Sequence, residues 1–282
     1  MKVLLIPNLS KANAISVTEN TAQLLLSFHA EIVFCDELYE HFSHLDARFL
    51  QQDEAFTQCD VVVTIGGDGT MLHAARKLLG YDKPLLGINL GRVGFLATCE
   101  ANEPAKLQRL VNGEYSLDKR MLLEVNVSGK NTFRQTALND IVIAKSSMPQ
   151  TVNIDVYCDD ILVNHYQGDG VVIATPTGST AYSLSAGGPI LDAHISGIVV
   201  TPICAHSLSS PPMVFSSLRK LQIAVSSPTD DVPVQLSCDG RREEKISCKD
   251  SIKISLSKQY VSLICFNEAD QFEAIDKKLK GR

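Results

Sequence analysis

The sequence predicts an α/β N-terminal domain with a parallel, doubly wound sheet, followed by an all-β, sandwich-like C-terminal domain. In roughly the first hundred residues, short apolar runs alternate with helical patterns, which is typical of parallel strands joined by helices. After about residue 115, alternating apolar and polar runs recur between turn residues, which is typical of antiparallel sheets. We therefore place the first domain at residues 1–110 and the second at 111–266.

Four strands and two helices are predicted in the first domain. Ser16, followed three residues later by Glu19, forms a capping-box pattern that predicts a helix from Ser16 to about Phe28. A second helix is indicated by apolar residues with helical spacing, which Gly80 and Pro84 close. Those apolar residues are Met71, Ala74, Ala75, Leu78 and Leu79. The predicted strands are the apolar runs 3–6, 32–35, 61–65 and 85–88.

The second domain reads as a series of short strands. Asp159 and Asp160 predict a tight turn between two of them. The predicted strands are 123–127, 154–158, 161–163, 171–174, 198–203, 221–225, 234–238, 252–256 and 261–266.

Composition excludes several classes of protein. With 26 basic and 32 acidic residues the net charge is −6, which argues against a nucleic-acid or anionic-membrane partner. No apolar run approaches the roughly 18 residues of a membrane span, and the start is too short for a signal peptide. The eight cysteines form no Cys-x-x-Cys pair, so we expect reduced, buried thiols and a cytoplasmic location. Zinc-ligand spacing is absent, and His41 and His44 fit a polar helix face, so no protein-ligated metal site is predicted.

A glycine-rich turn follows the predicted strand 61–65. It comprises Gly66, Gly67, Asp68, Gly69 and Thr70 and precedes an amphipathic helix. Such a turn places backbone N–H groups and a helix N-terminus at the carboxyl edge of a parallel sheet. Adjacent glycines let a phosphate approach the backbone. Neither the P-loop nor the Gly-x-Gly-x-x-Gly pattern occurs, so the turn predicts a different phosphate cradle.

Asp68 lies where its negative charge would repel a phosphate, so a specific function must explain why a carboxylate is present there. It can accept a proton from an attacking hydroxyl or orient that hydroxyl, as the catalytic aspartate of protein kinases does. It can also hold a divalent cation that carries phosphates. The alternative is that Asp68 only caps a helix that begins at Thr70. The two preceding glycines and the strand–turn–helix context favour phosphoryl chemistry.

A second dense segment runs from Thr175 to Pro189. Five hydroxyl residues fall within nine positions, which suits a nucleoside base and ribose. The alternative is a short helix ended by Gly187, Gly188 and Pro189, which leaves the hydroxyl density unexplained. Three polar breaks beside strands, at 139–140, 168–170 and 238–240, are each typical of an ordinary turn.

Together these motifs resemble those of the bacterial-type NAD kinases. The match covers the glycine turn, the Asn89-x-Gly91-x-x-Gly94-Phe95-Leu96 segment, Asn139-Asp140, and Asp169-Gly170 through 175–182 to 187–190. Lipid kinases and phosphofructokinases share the glycine turn, whereas the run 175–182 is far more specific. The resemblance implies two domains, with the tail 267–282 returning to the first. It also implies phosphorylation of the adenosine ribose 2′-hydroxyl of NAD to give NADP. The implied donor is ATP or polyphosphate, with Mg²⁺ or another divalent cation carried mainly by the phosphates, in a homo-oligomer (dimer or tetramer).

The resemblance also implies roles for individual residues. Asp68 becomes the proton acceptor for the ribose hydroxyl. The residues implied in phosphate and nucleotide contact are Gly66, Gly67, Gly69, Thr70 and His73. Those implied in NAD binding are Asn139, Asp140, Asp169, Thr177, Thr180, Ala181, Tyr182, Ser183, Leu184, Ser185 and Asp239.

Two departures from the family pattern concern binding. Asp140 stands where the family commonly has Glu, so the ribose contact is one methylene shorter. In the segment 202–212, Ala205 and Pro211 replace the usual proline and arginine, so we assign no phosphate-binding arginine there. Two other interpretations remain open: a kinase of another acceptor such as a lipid, and a nucleotide sensor without turnover. The hydroxyl-rich segment argues against the first, and Asp68 argues against the second.

Overall fold

The computed structural model describes residues 1–91, 94–97, 99–146, 151–206, 210–226, 233–241, 244–267 and 275–276. They form two compact units. The first unit contains Met1–Lys119 and the described residues from Val261 onward, and the second is Arg120–Tyr260. Only three residues of the tail 267–282 are described, and the expectation that this tail packs on the first domain stays a prediction.

The first unit is a parallel sheet with helices between its strands. Its strands pair in the order β3–β2–β1–β4–β5, all parallel. The end of a long strand, β18 (Ser251–Cys265), pairs in parallel with β5 at Leu263 and Leu85. The strands are β1 (Lys2–Pro7), β2 (Glu31–Cys35), β3 (Ala47–Leu50), β4 (Val61–Gly66), β5 (Leu85–Asn89) and β6 (Cys99–Glu100). The helices are α1 (Ala14–Ser27), α2 (Tyr39–Phe42), α3 (Gln52–Gln58), α4 (Asp68–Lys77) and α5 (Pro104–Asn112).

Apolar runs explain why this sheet forms. All six residues of β4 and all five of β5 are buried, as expected for central parallel strands covered on both faces. The four strands predicted from apolar runs are confirmed. β3 was not predicted because Ala47–Leu50 has no continuous apolar run and remains partly exposed.

The predicted capping box at Ser16 is wrong. Helix α1 begins at Ala14, and its N-cap is Asn13 with a left-handed backbone (φ 62°). The Ser16 hydroxyl instead donates to the carbonyl oxygen of Asn13 at 3.1 Å. Asn adopts left-handed conformations more readily than most residues, so the chain enters the helix earlier than the capping pattern indicates.

The second unit is antiparallel, and the predicted fold class is confirmed. One sheet has the order β14–β13–β12–β9–β16–β17, and a second set of strands pairs as β11–β10–β15–β18. Buried residues of both sets, such as Ile143 and Ile173 on one side and Ile154 and Ile223 on the other, form one apolar core. The strands are β7 (Ser116–Ser128), β8 (Phe133–Ala137), β9 (Asp140–Lys145), β10 (Val152–Cys158), β11 (Ile161–Gly168), β12 (Gly170–Ala174), β13 (Gly197–Ile203), β14 (Met213–Ser216), β15 (Leu221–Ser226), β16 (Val234–Cys238), β17 (Glu244–Ile246) and β18 (Ser251–Cys265).

Two predicted strands, 252–256 and 261–266, are one strand, β18. The residues Lys258, Gln259 and Tyr260 between the two runs are exposed but extended, so the chain does not turn there. The turn at Asp159 and Asp160 is confirmed, and both residues have a positive φ, of 49° and 67°.

The cysteines are only partly as expected. No disulfide joins any of the eight, all of which are described, but Cys204 and Cys248 are exposed, so the expectation of buried thiols is wrong for these two. Helices within the described part of the chain include none that is long and apolar enough to cross a membrane.

Asp250 joins two loops of the second unit. Its carboxylate accepts hydrogen bonds from the backbone and side-chain nitrogens of Asn131, at 3.1 and 2.8 Å, and from the Ser247 N–H at 2.8 Å. Burial alone would raise the pKa of Asp250, but the bonds from Asn131, Ser247 and Lys130 outweigh it and hold this pKa below its usual value.

We therefore expect Asp250→Asn to lower the free energy of unfolding by about 1–3 kcal/mol at neutral pH, because an amide cannot accept all these bonds. The depressed folded-state pKa means that the contribution is present above the unfolded pKa of about 3.9 and is lost as pH falls through the folded value. Urea unfolding at pH 7 and pH 3 measures both effects, with exposed Asp160→Asn as the control. Equal stability of the Asp250→Asn variant and the parent at pH 7 would contradict the stabilising role of the Asp250 carboxylate.

Candidate functional site

The glycine turn of the first unit lies between β4 and α4. Gly67 is the N-cap of α4, and its N–H donates to the Thr70 hydroxyl at 3.4 Å. That hydroxyl also accepts from Nδ2 of Asn8 at 3.3 Å. A Cβ at Gly66 would lie 2.1 Å from Oγ1 of Thr70, so this position requires glycine. Apart from chain neighbours and the backbone of α4, no atom of the described residues lies within 4 Å of a Cβ built at Gly67 or Gly69, so these residues leave the outer side of the turn open.

Asp68 is the first residue of α4, so the alternative that it caps a helix beginning at Thr70 is wrong. Its carboxylate accepts hydrogen bonds from three successive backbone N–H groups, those of Phe95, Leu96 and Ala97, at 2.8, 3.0 and 3.3 Å. A Cβ at Gly94 would lie 2.0 Å from Oδ1 of Asp68. The carboxylate is thus fixed in a defined position beside the phosphate turn, at the N-terminus of a helix.

His73 lies one turn further along α4 and is exposed. Its Nδ1 is 3.4 Å from Nη2 of Arg76. The exposed imidazole therefore lies near the N-terminus of α4, the same helix end that carries Asp68.

The second unit brings three predicted residues together. The Asp239 carboxylate accepts from the backbone N–H groups of Leu138, Asn139 and Asp140, at 3.0, 2.7 and 3.2 Å. Asp239 has a positive φ of 52°, as the hairpin turn requires, while its side chain is only 6% exposed. The turn at 238–240 therefore also supplies a carboxylate that holds the Asn139-Asp140 backbone.

Asp140 is only 4% exposed and lies near a second acid. Burial and then the charge of Asp239 raise its pKa from 3.8 to about 7, and a hydrogen bond from the Tyr182 N–H opposes this. Arg241 approaches Asp239 from one side, with Nη2 3.7 Å from Oδ2. The Asp140 carboxyl therefore changes charge near neutral pH.

The hydroxyl-rich segment packs onto the same residues. It forms a 3₁₀ turn, Thr177–Thr180, and a short helix α6, Tyr182–Ser185. A Cβ at Gly178 would lie 2.0 Å from the Asn139 carbonyl oxygen, so only glycine allows this close approach. The segment thus places its backbone directly against Asn139.

Several hydroxyls of this segment serve the protein and not a ligand. Thr175 donates to the Leu138 carbonyl at 2.5 Å, and Ser179 donates to the Pro176 carbonyl at 2.6 Å. Ser183 is buried and bonds to the Thr201 hydroxyl at 2.9 Å, which disagrees with the interpretation of its hydroxyl as a nucleoside contact. Gly187 follows the short helix α6 with a positive φ of 92°, as the alternative of a terminated short helix predicts.

The more accessible residues of the segment are those of its second half. Tyr182 is 44% exposed and Ser185 is exposed. Thr180, Ala181 and Leu184 are partly exposed. Thr177 is buried, and its hydroxyl accepts from Nη1 of Arg120 at 3.2 Å. The surface that a ligand can touch is therefore 180–182 and 184–185, with Thr177 behind it.

Asp169 lies on the turn between β11 and β12. Its Oδ1 is 2.6 Å from Nζ of Lys145, the last residue of β9. Sequence reasoning missed Lys145 and Arg120, because each sits in a strand-like run and only its pairing with Asp169 or Thr177 reveals it. The backbone N–H of Phe95, which donates to Asp68, was missed as well, although Gly94-Phe95-Leu96 is part of a family motif.

No group of three or more His, Cys, Asp or Glu side chains that could hold a metal ion occurs within the part of the chain that the structure describes. Mg²⁺ commonly binds through one or two carboxylates plus substrate phosphates and keeps several waters. A glycine turn with the single carboxylate of Asp68 beside it fits a cation of this kind, held mainly by a ligand.

A glycine turn between a parallel strand and a helix, with a fixed carboxylate beside it, is the arrangement expected of a phosphotransferase. Comparisons with known proteins agree. Residues 3–115 match the family model of the ATP-NAD kinase N-terminal domain, and residues 138–266 match that of the ATP-NAD kinase C-terminal domain. The chain belongs to the NAD kinase family, and it is an enzyme that transfers a phosphoryl group.

Individual relatives match over most of their length. The NAD kinase of Caldanaerobacter subterraneus subsp. tengcongensis is 36% identical, with 100% of this chain and 99% of that protein covered. That of Clostridium botulinum strain 657 is 39% identical over 84% of each chain. Yeast NADH kinase, solved in complex with NADH, has a TM-score of 0.88 at 26% identity and covers 99% of this chain and 87% of its own. An NAD kinase from Archaeoglobus fulgidus, solved with ATP, shares the fold with a TM-score of 0.75 at 22% identity, covering 98% of each chain.

Proposed function

We propose that this protein transfers the γ-phosphate of ATP, or a phosphate of polyphosphate, to the 2′-hydroxyl of the adenosine ribose of NAD, giving NADP. The single observation that carries this proposal is the carboxylate of Asp68, fixed by three N–H groups beside an open glycine turn. Binding of phosphates alone does not need a carboxylate in that position, whereas transfer to a hydroxyl does.

In the first unit, Gly66, Gly67, Gly69 and Thr70 would form the phosphate-binding turn, with His73 one turn further along the helix. The N–H groups of Gly67 and Thr70 are bonded within the turn, to the Thr70 hydroxyl and the Gly67 carbonyl, so they would have to be shared with a phosphate or exchanged to it. Asp68 orients the acceptor hydroxyl and takes its proton late, because aspartate is a weak base and the transition state of phosphoryl transfer is loose. Positioning and neutralisation of charge then supply most of the rate.

In the second unit, the proposed NAD-binding residues fall into two groups. Asn139, Asp140, Asp169 and the exposed face of 180–185 would contact the nucleosides directly. Thr177, Ser183 and Asp239 would act by holding that surface, since the polar atoms of their side chains bond to Arg120, to Thr201 and to the backbone of 138–140. The dinucleotide named with yeast NADH kinase supports a nicotinamide dinucleotide as the ligand.

The remaining parts of the proposal concern cofactor, assembly and location. A divalent cation such as Mg²⁺, carried mainly by the phosphates and approached by Asp68, would neutralise charge on the transferred group. ATP as donor is supported by the name of the matched family. The family resemblance supports a homo-oligomer, dimer or tetramer, and the cysteines, which form no disulfide, support a cytoplasmic location.

One assay tests the proposal. Purified protein is incubated with NAD, Mg²⁺ and either ATP or polyphosphate, and NADP is measured with an NADP-specific dehydrogenase. We expect NADP with at least one donor, and none without Mg²⁺. Binding of NAD without product would support the sensor interpretation, whereas consumption of ATP only with a lipid acceptor would support the lipid kinase.

A further inference from the structure

The backbone of Asp169 is held on both sides. Its N–H donates to the Ile203 carbonyl and its carbonyl accepts from the Lys145 N–H, both at 2.9 Å. A Cβ at Gly168 would lie 2.8 Å from the Ile203 carbonyl oxygen, and one at Gly170 would lie 2.4 Å from that of Ile143. The two flanking residues therefore pack as bare backbone, and Asp169 is the one side chain that this turn presents.

The carboxylate of Asp169 is held as well. Nζ of Lys145 contacts Oδ1 at 2.6 Å, and the Lys145 side chain is only 9% exposed, whereas that of Asp169 is 32% exposed. A nearly buried ammonium requires a partner, because an unpaired charge in that position is costly. Oδ2 accepts no hydrogen bond from the residues that the structure describes. Among the described residues, one oxygen is thus occupied and the other is available to a donor.

We propose that Lys145 is a positioning residue for nucleotide binding, which fixes Asp169 so that its Oδ2 accepts an N–H from an uncharged amide or exocyclic amine of the dinucleotide. This inference rests on the proposed function, which gives Asp169 a place in the NAD site. A charged acceptor with fixed geometry binds a neutral N–H donor well. It opposes a carbonyl or carboxylate oxygen at the same place, because two acceptors then face each other.

The test compares NAD with two analogues. In one, hypoxanthine replaces adenine, which removes the exocyclic amine. In the other, nicotinic acid replaces nicotinamide, which removes the amide. For Lys145→Met we expect the KM for NAD to rise about 10- to 100-fold, while kcat stays within about threefold, since the lost bond acts on binding and not on the chemical step. Lys145→Arg, which keeps the charge, should recover part of the affinity.

One analogue should respond differently from NAD. The analogue that lacks the donor bound by Asp169 carries an oxygen in its place, so Lys145→Met should not raise its KM by more than about threefold and is allowed to lower it. The bond is already absent, and a released Asp169 no longer has to face that oxygen. Arg219→Met is the matched control, since it removes a surface pair with Asp159, also 2.6 Å long. An unchanged KM for NAD in Lys145→Met, or an equal rise for NAD and both analogues, overturns the inference.

A double variant keeps the test decisive if Lys145→Met fails to fold. Lys145→Met/Asp169→Asn buries no unpaired charge, so it should fold. If Lys145 acts only through Asp169, the double variant and Asp169→Asn alone should have the same KM for NAD, and a clear difference contradicts the inference. Failure of the proposed function is seen separately, because the wild-type protein would then form no NADP.

Discussion

Asp68→Asn should lower the kcat for NADP formation about 100- to 10,000-fold, the usual range for loss of general-base help. An amide cannot take the proton of the ribose hydroxyl. It also opposes one of the three N–H donors that hold the carboxylate, those of Phe95, Leu96 and Ala97, because its own NH₂ group is a donor. The kcat is measured with saturating NAD and ATP, and the Kd for NAD is measured by calorimetry.

These two consequences of the substitution can be separated. Hydrogen exchange at the amides of 95–97 reports whether the loop has loosened, and the NAD Kd reports whether the site still forms. Asp53→Asn, which changes an exposed acid of the same unit, is the control and should leave kcat unchanged. A near-normal kcat in Asp68→Asn contradicts the role of proton acceptor. A loss confined to NAD affinity would instead assign Asp68 to support of the loop.

Asp140→Asn should make the protein more stable than its parent at alkaline pH but not at acidic pH. Burial and the nearby Asp239 raise the pKa of Asp140 to about 7, so the folded state binds a proton that the unfolded state releases near pH 4. The contribution of Asp140 to the free energy of unfolding is therefore greatest at low pH and falls as pH rises from about 4 through about 7. Asparagine never ionises, so the variant escapes this loss.

The difference in the free energy of unfolding between variant and parent should grow by about 2–3 kcal/mol from pH 5 to pH 8, which follows from about 1.4 kcal/mol for each pH unit between the two pKa values. Urea unfolding at both pH values measures it. The same difference for Asp160→Asn should stay flat, because that carboxyl is exposed in the same unit. A difference for Asp140→Asn that does not vary with pH would mean that Asp140 is not held protonated by burial.

Most of the fold was predictable because its strands are buried in continuous or alternating apolar runs. β4 and β5 are mostly apolar and buried at every residue, as expected of central strands, whereas β10 alternates between buried and partly buried residues, as expected of a strand with one face on the core. The ends of helices and strands were less predictable where two local sequence patterns pointed to different boundaries. Ser16 and Glu19 resembled a cap, but the left-handed Asn13 begins the helix, and polar residues 258–260 stay extended inside β18.

The candidate site was predictable where its chemistry depends on neighbours in the chain. The glycine turn, Asn139-Asp140 and the 175–185 segment are local patterns, and each can be read from consecutive residues. Pairings between distant residues were not predictable, as with Lys145 and Asp169 or Arg120 and Thr177. The density of hydroxyls in the segment from Thr175 to Pro189 suggests a nucleoside site, but hydrogen bonds tie the hydroxyls of Thr175, Ser179 and Ser183 to the protein.

The sequence by itself determined the two-domain class, the strand–turn–helix around Asp68 and the family to which the chain belongs, because these depend on short-range periodicity and local motifs. The tertiary structure decided what each polar side chain contacts. Three N–H groups from 95–97 hold Asp68, the hairpin acid Asp239 holds the Asn139-Asp140 backbone, and Lys145 holds Asp169. Hydrogen bonding and burial depend on groups far apart in the chain, and only folding brings those groups together.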